Sequence, residues 1–223
     1  MSAPLCEVRG LEHRYGPGCQ WAIDSLRVMP GQAIALTGAS GSGKTTLLEW
    51  LAGLNHPQRG DVDFEGEPWR ALSPAVRQRR RLETIGLVFQ DNALLQALTV
   101  EENILLPLRL LDRALAPARR ELEPQMRRAG IAHLAGRRLA GLSQGEQQRA
   151  GVLRALQHKP RLILADEPTA SLDAESAARI VDLLFDARER FGAALVCVSH
   201  DPRVLERFDT RWSMEDFRVE AQP

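Results

Sequence analysis

The sequence predicts an α/β domain: a parallel sheet covered by helices, opened by an antiparallel β-rich segment and interrupted by an α-helical block. Three observations predict it. "RLILAD" and "AALVCVS" are short apolar strands on either side of the amphipathic "ESAARIVDLLFDARERFG", the strand-helix-strand rhythm of a parallel sheet. The first third reads as strands separated by glycine and proline turns. From about residue 99 to 157 the periodicity is helical throughout.

In chain order, "LCEVRGLEHRY" and "WAIDSLRVMP" are strands around a Gly-Pro-Gly turn at 16–18, and "QAIALTG" is a third strand. A glycine-rich loop follows, then a helix marked by Leu47, Leu48, Leu51 and Leu54 that ends near Gly53. "GDVDFEGEPW" predicts a short hairpin. "VRQRRR" at 76–81 is read as a solvated helix face, because acidic residues flank Arg77, Arg79, Arg80 and Arg81 and no aromatics interleave. "IGLVFQ" at 85–90 is a buried strand. Three helices come next: "TVEENILLPLRLL", "PARRELEPQMRRAG" and "SQGEQQRAGVLRALQ".

Composition bounds the function classes. The 223 residues are 44% hydrophobic, as in an ordinary globular protein, with 29 basic against 29 acidic residues. No overall charge draws the chain to nucleic acid or to an anionic membrane, so such a partner must be met through a local patch. Cys6, Cys19 and Cys197 are far apart and form no CxxC pair, which argues against a disulfide framework or a zinc site. The N-terminal "MSAPLCEVRG" lacks an apolar signal core, and no stretch approaches the roughly 18 apolar residues that span a bilayer. The expectation is a chain in a reducing cytosol that by itself is neither secreted nor transmembrane.

"GASGSGKTT" carries the chemistry. Gly38, Ala39, Ser40, Gly41, Ser42, Gly43, Lys44, Thr45 and Thr46 match G-x-x-x-x-G-K-[ST] between a predicted strand and a predicted helix, the context the phosphate-binding loop requires. The glycines let backbone N–H groups curl around a phosphate, and the helix adds the positive end of its dipole. Lys44 is the candidate cation for the β- and γ-phosphates of ATP, and the Thr45 hydroxyl the candidate ligand for Mg²⁺. A nucleotide loop needs an acidic partner for its metal. "RLILADEP" places Asp166 at a strand end as that partner, with Glu167 next to it as a candidate general base.

"LSQGEQQR" at 142–149 then separates this chain from kinases, GTPases and helicases. It resembles the signature peptide of the ATP-binding-cassette (ABC) ATPases. The resemblance implies that Ser143, Gln144, Gly145 and Glu146 open a helix whose N-terminus caps the γ-phosphate of ATP held by a second copy. A capped surface helix fits those residues locally but leaves the other matches unexplained. Tyr15 resembles the family's adenine-stacking aromatic, and Gln90 its glutamine that contacts Mg²⁺ and the attacking water. Asp173 in "SLD" resembles the acidic residue at the dimer seam, and His200 in "VSHD" the switch histidine near the γ-phosphate. The signature departs from L-S-G-G-Q at its third and fifth positions, where Gln144 replaces a glycine.

The resemblance implies one ABC ATPase domain over 1–223, with a mixed-sheet nucleotide-binding core of 1–90 and 158–223 and a helical subdomain of about 91–157. It implies ATP and Mg²⁺ as cofactors, a second copy of the chain and integral membrane permease subunits as partners, and a place on the inner face of the cell membrane. DNA-repair members carry a long coiled coil between loop and signature, and ribosome-acting members fuse two cassettes. Neither feature is present, so no nucleic acid is expected, although a soluble ABC ATPase and an importer ATPase stand as alternatives. "IGLVFQDNALLQALTVEENILLPL" resembles the lipoprotein-releasing, macrolide-exporter and cell-division subgroup. Its members seat a cytoplasmic helix of the membrane subunit near Leu94, Leu95 and Leu98.

Overall fold

A computed structural model describes residues 3–14, 20–170 and 172–219. Two five-stranded sheets form the framework, and the two strand directions are divided between them. The first contains β1 (Cys6–Arg14), β2 (Gln20–Val28), β4 (Arg59–Phe64), β5 (Glu67–Pro68) and β10 (Arg218–Val219), in the order β10-β2-β1-β4-β5. Every pairing in it is antiparallel. The second contains β3 (Ala33–Thr37), β6 (Ile85–Val88), β7 (Leu162–Asp166), β8 (Ala194–Val198) and β9 (Thr210–Ser213), in the order β6-β7-β8-β3-β9. Every pairing there is parallel.

The central strands of the parallel sheet, β7, β8 and β3, are buried on both faces because they are apolar at nearly every position, and their alternation divides the core in two. Val196 and Val198 join Ile34 and Leu36 on the face that meets α1 (Lys44–Leu51) and the antiparallel sheet. Leu195 and Cys197 join Ile163 and Ala165 on the opposite face. That face packs against α3 (Val100–Leu110), α5 (Gln144–Leu156) and α6 (Ala174–Phe191).

Side-chain caps start α2 (Pro74–Thr84), α3, α5 and α6, whereas α1 and α4 (Leu115–Arg128) begin without one. Ser73 and Pro74 start α2, and Thr99 with Glu102 closes a capping box on α3. Asp173 caps α6, and Gly192 in a left-handed conformation stops it. The arginines of α2 are engaged within the chain: Arg79 with Glu83, Arg80 with Glu65 and Glu67, and Arg81 with the Gly53 carbonyl. The expected solvated face is met only in part: Arg79 is exposed, whereas Arg77, Arg80 and Arg81 are half-buried because they bond to neighbouring segments of the chain. Helix α4 contains Pro124. The Gly-Pro-Gly turn at 16–18 lies outside the described residues.

Beyond His200 the sequence offers little periodicity, yet α7 (Pro202–Leu205), β9 and β10 form there. Strand β9 adds parallel to β3, and β10 returns to β2. With the order β7-β8-β3, the carboxyl ends of three adjacent strands lead to Glu167, Ser199 and Gly38, the edge where ligands bind in open α/β sheets.

Candidate active site

The loop after β3 cannot carry ordinary side chains at three positions. Gly38, Gly41 and Gly43 have φ of 149°, 74° and 94°. A Cβ on Gly38 would come within 2.6 Å of Ser42 Oγ, and one on Gly43 would fall 1.4 Å from the Trp21 ring. Trp21 is itself packed edge-on against Trp50 of α1, 5.9 Å between centroids, so the ring has no room to withdraw. The antiparallel sheet thus props the loop from behind.

Lys44 is buried at the start of α1 and donates to the Gly38 and Ala39 carbonyls at 2.8 and 2.9 Å. Thr45 Oγ1 donates to Asp166 Oδ2 at 2.6 Å. The Ala39 N–H donates to Glu215 Oε1 at 3.1 Å, and Ser42 Oγ is buried without a hydrogen-bond partner. A cavity of about 630 Å³ opens over this floor and is lined by Ser40, Gly41, Lys44, Thr45, Gln90, Asp166, Glu167 and His200 among others.

Glu167 has a left-handed backbone, φ 47°, rare for a non-glycine residue and typical of functional strain. Its N–H donates to the Val198 carbonyl, and its own carbonyl accepts from Gln148 Nε2 at 3.1 Å. Burial raises the Glu167 pKa above the ordinary glutamate value; nearby His200 and Lys44 oppose the shift, and Asp166 adds to it. His200 Nε2 lies 3.4 Å from Glu167 Oε1.

The residues fit a magnesium nucleotide. Glycine backbone, a buried lysine and a helix N-terminus suit a polyphosphate, and the hydroxyl–carboxylate pair Thr45–Asp166 suits a hard cation. Among the described residues no cluster of three or more His, Cys, Asp or Glu side chains forms a metal site.

The "ABC transporter" family model matches residues 23–170, more than half of the chain. The chain belongs to the ABC transporter family. Its overall fold matches the ATP-binding cassette MJ0796 in a dimeric post-hydrolysis state bound to ADP and Pi, with a TM-score of 0.85, 27% identity, and 98% of this chain and 99% of that chain covered. A second dimeric structure of MJ0796, described as a bacterial ABC transporter cassette, gives 0.84, 28%, 98% and 99%. For cbiO1 from Clostridium perfringens, part of the complex cbiONQ, the values are 0.79, 24%, 95% and 85%, a likeness of fold. This ABC cassette is an ATPase that uses ATP with Mg²⁺.

The fold does not gather every predicted residue at the cavity. Ser143, Gln144, Gly145 and Glu146 stand at the start of α5, outside its lining. Asp173 is exposed there too, its carboxylate accepting from Ser176 N at 2.9 Å. Tyr15 lies outside the described residues. Gln144 needs no glycine: it is the first residue of α5 and has no left-handed backbone, so the departure from the family pattern leaves the helix start regular. Glu146 completes a capping box, taking the Ser143 N–H at 2.7 Å and the Ser143 hydroxyl at 2.8 Å.

Three supporting residues escaped the sequence reading: Trp21 behind Gly43, Gln148 on the Glu167 carbonyl, and Arg149, whose Nη1 donates to Ser176 Oγ at 3.2 Å. Gln148 and Arg149 are the last two residues of "LSQGEQQR", in a helix that is apolar further on. Only knowledge of that helix's burial singles them out.

Proposed function

We propose that this ABC ATPase is the motor subunit of a transporter complex, in which two copies close on ATP and drive movement in separate membrane subunits. In this reading the glycine loop and Lys44 hold the phosphates, and Thr45, Asp166 and Gln90 hold the cation. Bound Mg²⁺ supplies charge neutralisation on the phosphoryl oxygens. Glu167 accepts the proton of the attacking water, and its raised pKa strengthens it as a base. His200 keeps Glu167 oriented from 3.4 Å. Ser143, Gln144, Gly145 and Glu146 face the nucleotide of the second copy, and Asp173 lies at the seam. Tyr15 stacks on adenine.

The chain works as one domain over 1–223, with the core formed by 1–90 and 158–223 and the helical arm by about 91–157. It operates at the inner face of the membrane through its partners; among the described residues no helix is long and apolar enough to cross a membrane.

The observation that carries this reading is an apolar groove beside Gln90. Leu82, Phe89, Leu106 and Leu110 line a recess of about 290 Å³, and Leu110 and Leu95 are 55% and 48% exposed. Exposed leucines flanking a concave apolar surface suit an inserted helix. Of the leucines near the expected docking edge, Leu94 packs against the core whereas Leu95 does not. Likeness of "IGLVFQDNALLQALTVEENILLPL" to the lipoprotein-releasing subgroup supports a lipoprotein-release or related export system.

Co-purification in mild detergent tests the reading. The native chain brings down a membrane protein with long cytoplasm-reaching helices, whereas Leu110→Glu stays folded, keeps near-native basal ATPase and loses that partner. Retention of the partner by a folded Leu110→Glu chain rules out the groove as the docking site.

A further inference from the structure

Gln90 reaches the cavity from a contorted stretch of backbone. Asn92 and Ala93, two and three residues on, are consecutive left-handed residues with φ of 60° and 43°, and neither is glycine. Side chains with a Cβ are disfavoured there and persist where the surroundings over-determine them. The turn is closed by Asn92 N donating to the Phe89 carbonyl at 3.1 Å, which accounts for its bend but not for its handedness.

The second restraint comes from α5. Arg154 is 9% exposed and donates from Nη1 to the Ala93 carbonyl at 2.5 Å and from Nη2 to the Asn92 carbonyl at 2.7 Å. Both bonds end on the two left-handed residues. A planar guanidinium spans adjacent carbonyls as a fork, which an ammonium does not. A buried cation is costly to desolvate, and beyond the favourable charge of nearby Asp91 its direct partners are two neutral carbonyls, a modest return unless the geometry they fix matters. The same helix holds the Glu167 carbonyl through Gln148 and the start of α6 through Arg149.

We propose that Arg154 is a positioning residue for Gln90: its guanidinium clamps the left-handed turn Asn92–Ala93 and fixes Gln90 in register with α5, the helix that begins after Ser143. Displacement of α5 and displacement of Gln90 are then one movement, so the helix end offered to a second copy is tied to the chain's own cation site. The inference rests on the reading of Gln90 given under the proposed function.

The test compares the native chain with Arg154→Lys and Arg154→Met by ATPase kinetics, thermal melting and amide hydrogen exchange over 91–95. In folded variants kcat falls by about tenfold or more while KM stays within about threefold, because the binding loop is untouched. Amides of 91–95 exchange about tenfold faster. Adding Ala93→Gly to Arg154→Lys restores at least about half of kcat and of the protection, since glycine holds the left-handed turn without a clamp. A side chain that merely filled space between helices is not rescued by a glycine in another segment. A folded Arg154→Lys chain with native kcat and native exchange overturns the proposal, and so does a failure of Ala93→Gly to rescue. If both Arg154 variants unfold, Ala93→Gly must restore folding, and continued unfolding counts against the clamp. Gln90→Ala separates the two readings: native kcat there removes the role of Gln90, while exchange and glycine rescue still decide the clamp.

Discussion

At the scale of single residues, Glu167 and Glu146 are two carboxylates given opposite tasks by their surroundings. Burial raises the pKa of Glu167, whereas hydrogen bonds from the Ser143 backbone and hydroxyl lower that of Glu146. A base with a raised pKa is protonated over a wider acidic range, so kcat climbs with pH through a titration above the ordinary glutamate value. Glu167→Gln removes that limb and slows turnover by roughly 10²- to 10⁴-fold, as steady-state rates across pH will register. The same upward shift makes an ionised Glu167 a cost to the fold, so its contribution to stability declines as pH rises through that titration. Glu146 instead puts a negative charge at a helix N-terminus, which favours the helix but repels an incoming phosphate. Glu146→Gln in the Glu167→Gln background is expected to tighten MgATP-driven dimerisation and to lower stability by about 0.5 kcal/mol. Sedimentation and thermal melting read the two effects separately, and an unchanged or weakened dimer rules out the repulsion.

At the scale of elements, the end of α5 is fastened by a buried base. His158 Nε2 donates to the Ile85 carbonyl of β6 at 3.1 Å, and burial lowers its pKa to about 4. The unfolded chain, with a histidine near 6.5, binds the extra proton between those values, so stability is lost as pH falls from about 6.5 towards about 4. The full effect is about 3 kcal/mol, and His158→Gln flattens that part of a melting-temperature profile relative to the native chain. A profile that drops equally in both chains shows that other groups dominate acid unfolding. Nothing around "QHKP" announces this tie, because a lone histidine after a helix has no periodic signature. The strands and helices that the sequence does reveal are those with long apolar periods, such as α6 and β8, where burial and pattern agree. The glycine loop was legible because its geometry needs residues that have no substitute. Strand β9, "TRWS", was not: each of its residues pairs with a β3 residue 176 positions earlier, Ile34 with Thr210 through Thr37 with Ser213, and not through its own hydrophobicity. The clamp between Arg154 and Asn92–Ala93, and the ring of Trp21 behind Gly43, are likewise contacts between distant segments that no local pattern encodes.

At the scale of the whole molecule, one cavity gathers Lys44, Thr45, Gln90, Asp166, Glu167 and His200 in its lining. In the proposed function the start of α5, with exposed Ser143, is the second phosphate-binding device, and it does not line that cavity. On that proposal two copies complete the site by pairing head to tail, each supplying Ser143 to the other. Two kinds of damage then fall on different sites of one dimer. Lys44→Ala disables the site formed on its own loop, whereas Ser143→Arg disables the site formed on the partner's loop. Each variant alone has both sites damaged and is nearly inactive. A mixed dimer has one site with both lesions and one with neither, so mixing the two variants regains a nucleotide-trapping site that neither possesses. In the Glu167→Gln background, trapping of labelled ATP by the mixture measures this directly, without requiring that both sites turn over together. With random pairing about half of the dimers are mixed, and each of these traps one nucleotide instead of two, so the expected yield is roughly a quarter of that of the Glu167→Gln parent at saturating ATP. A mixture that traps no more than the separate variants means that α5 does not complete the partner's site, and the head-to-tail arrangement is then wrong for this chain.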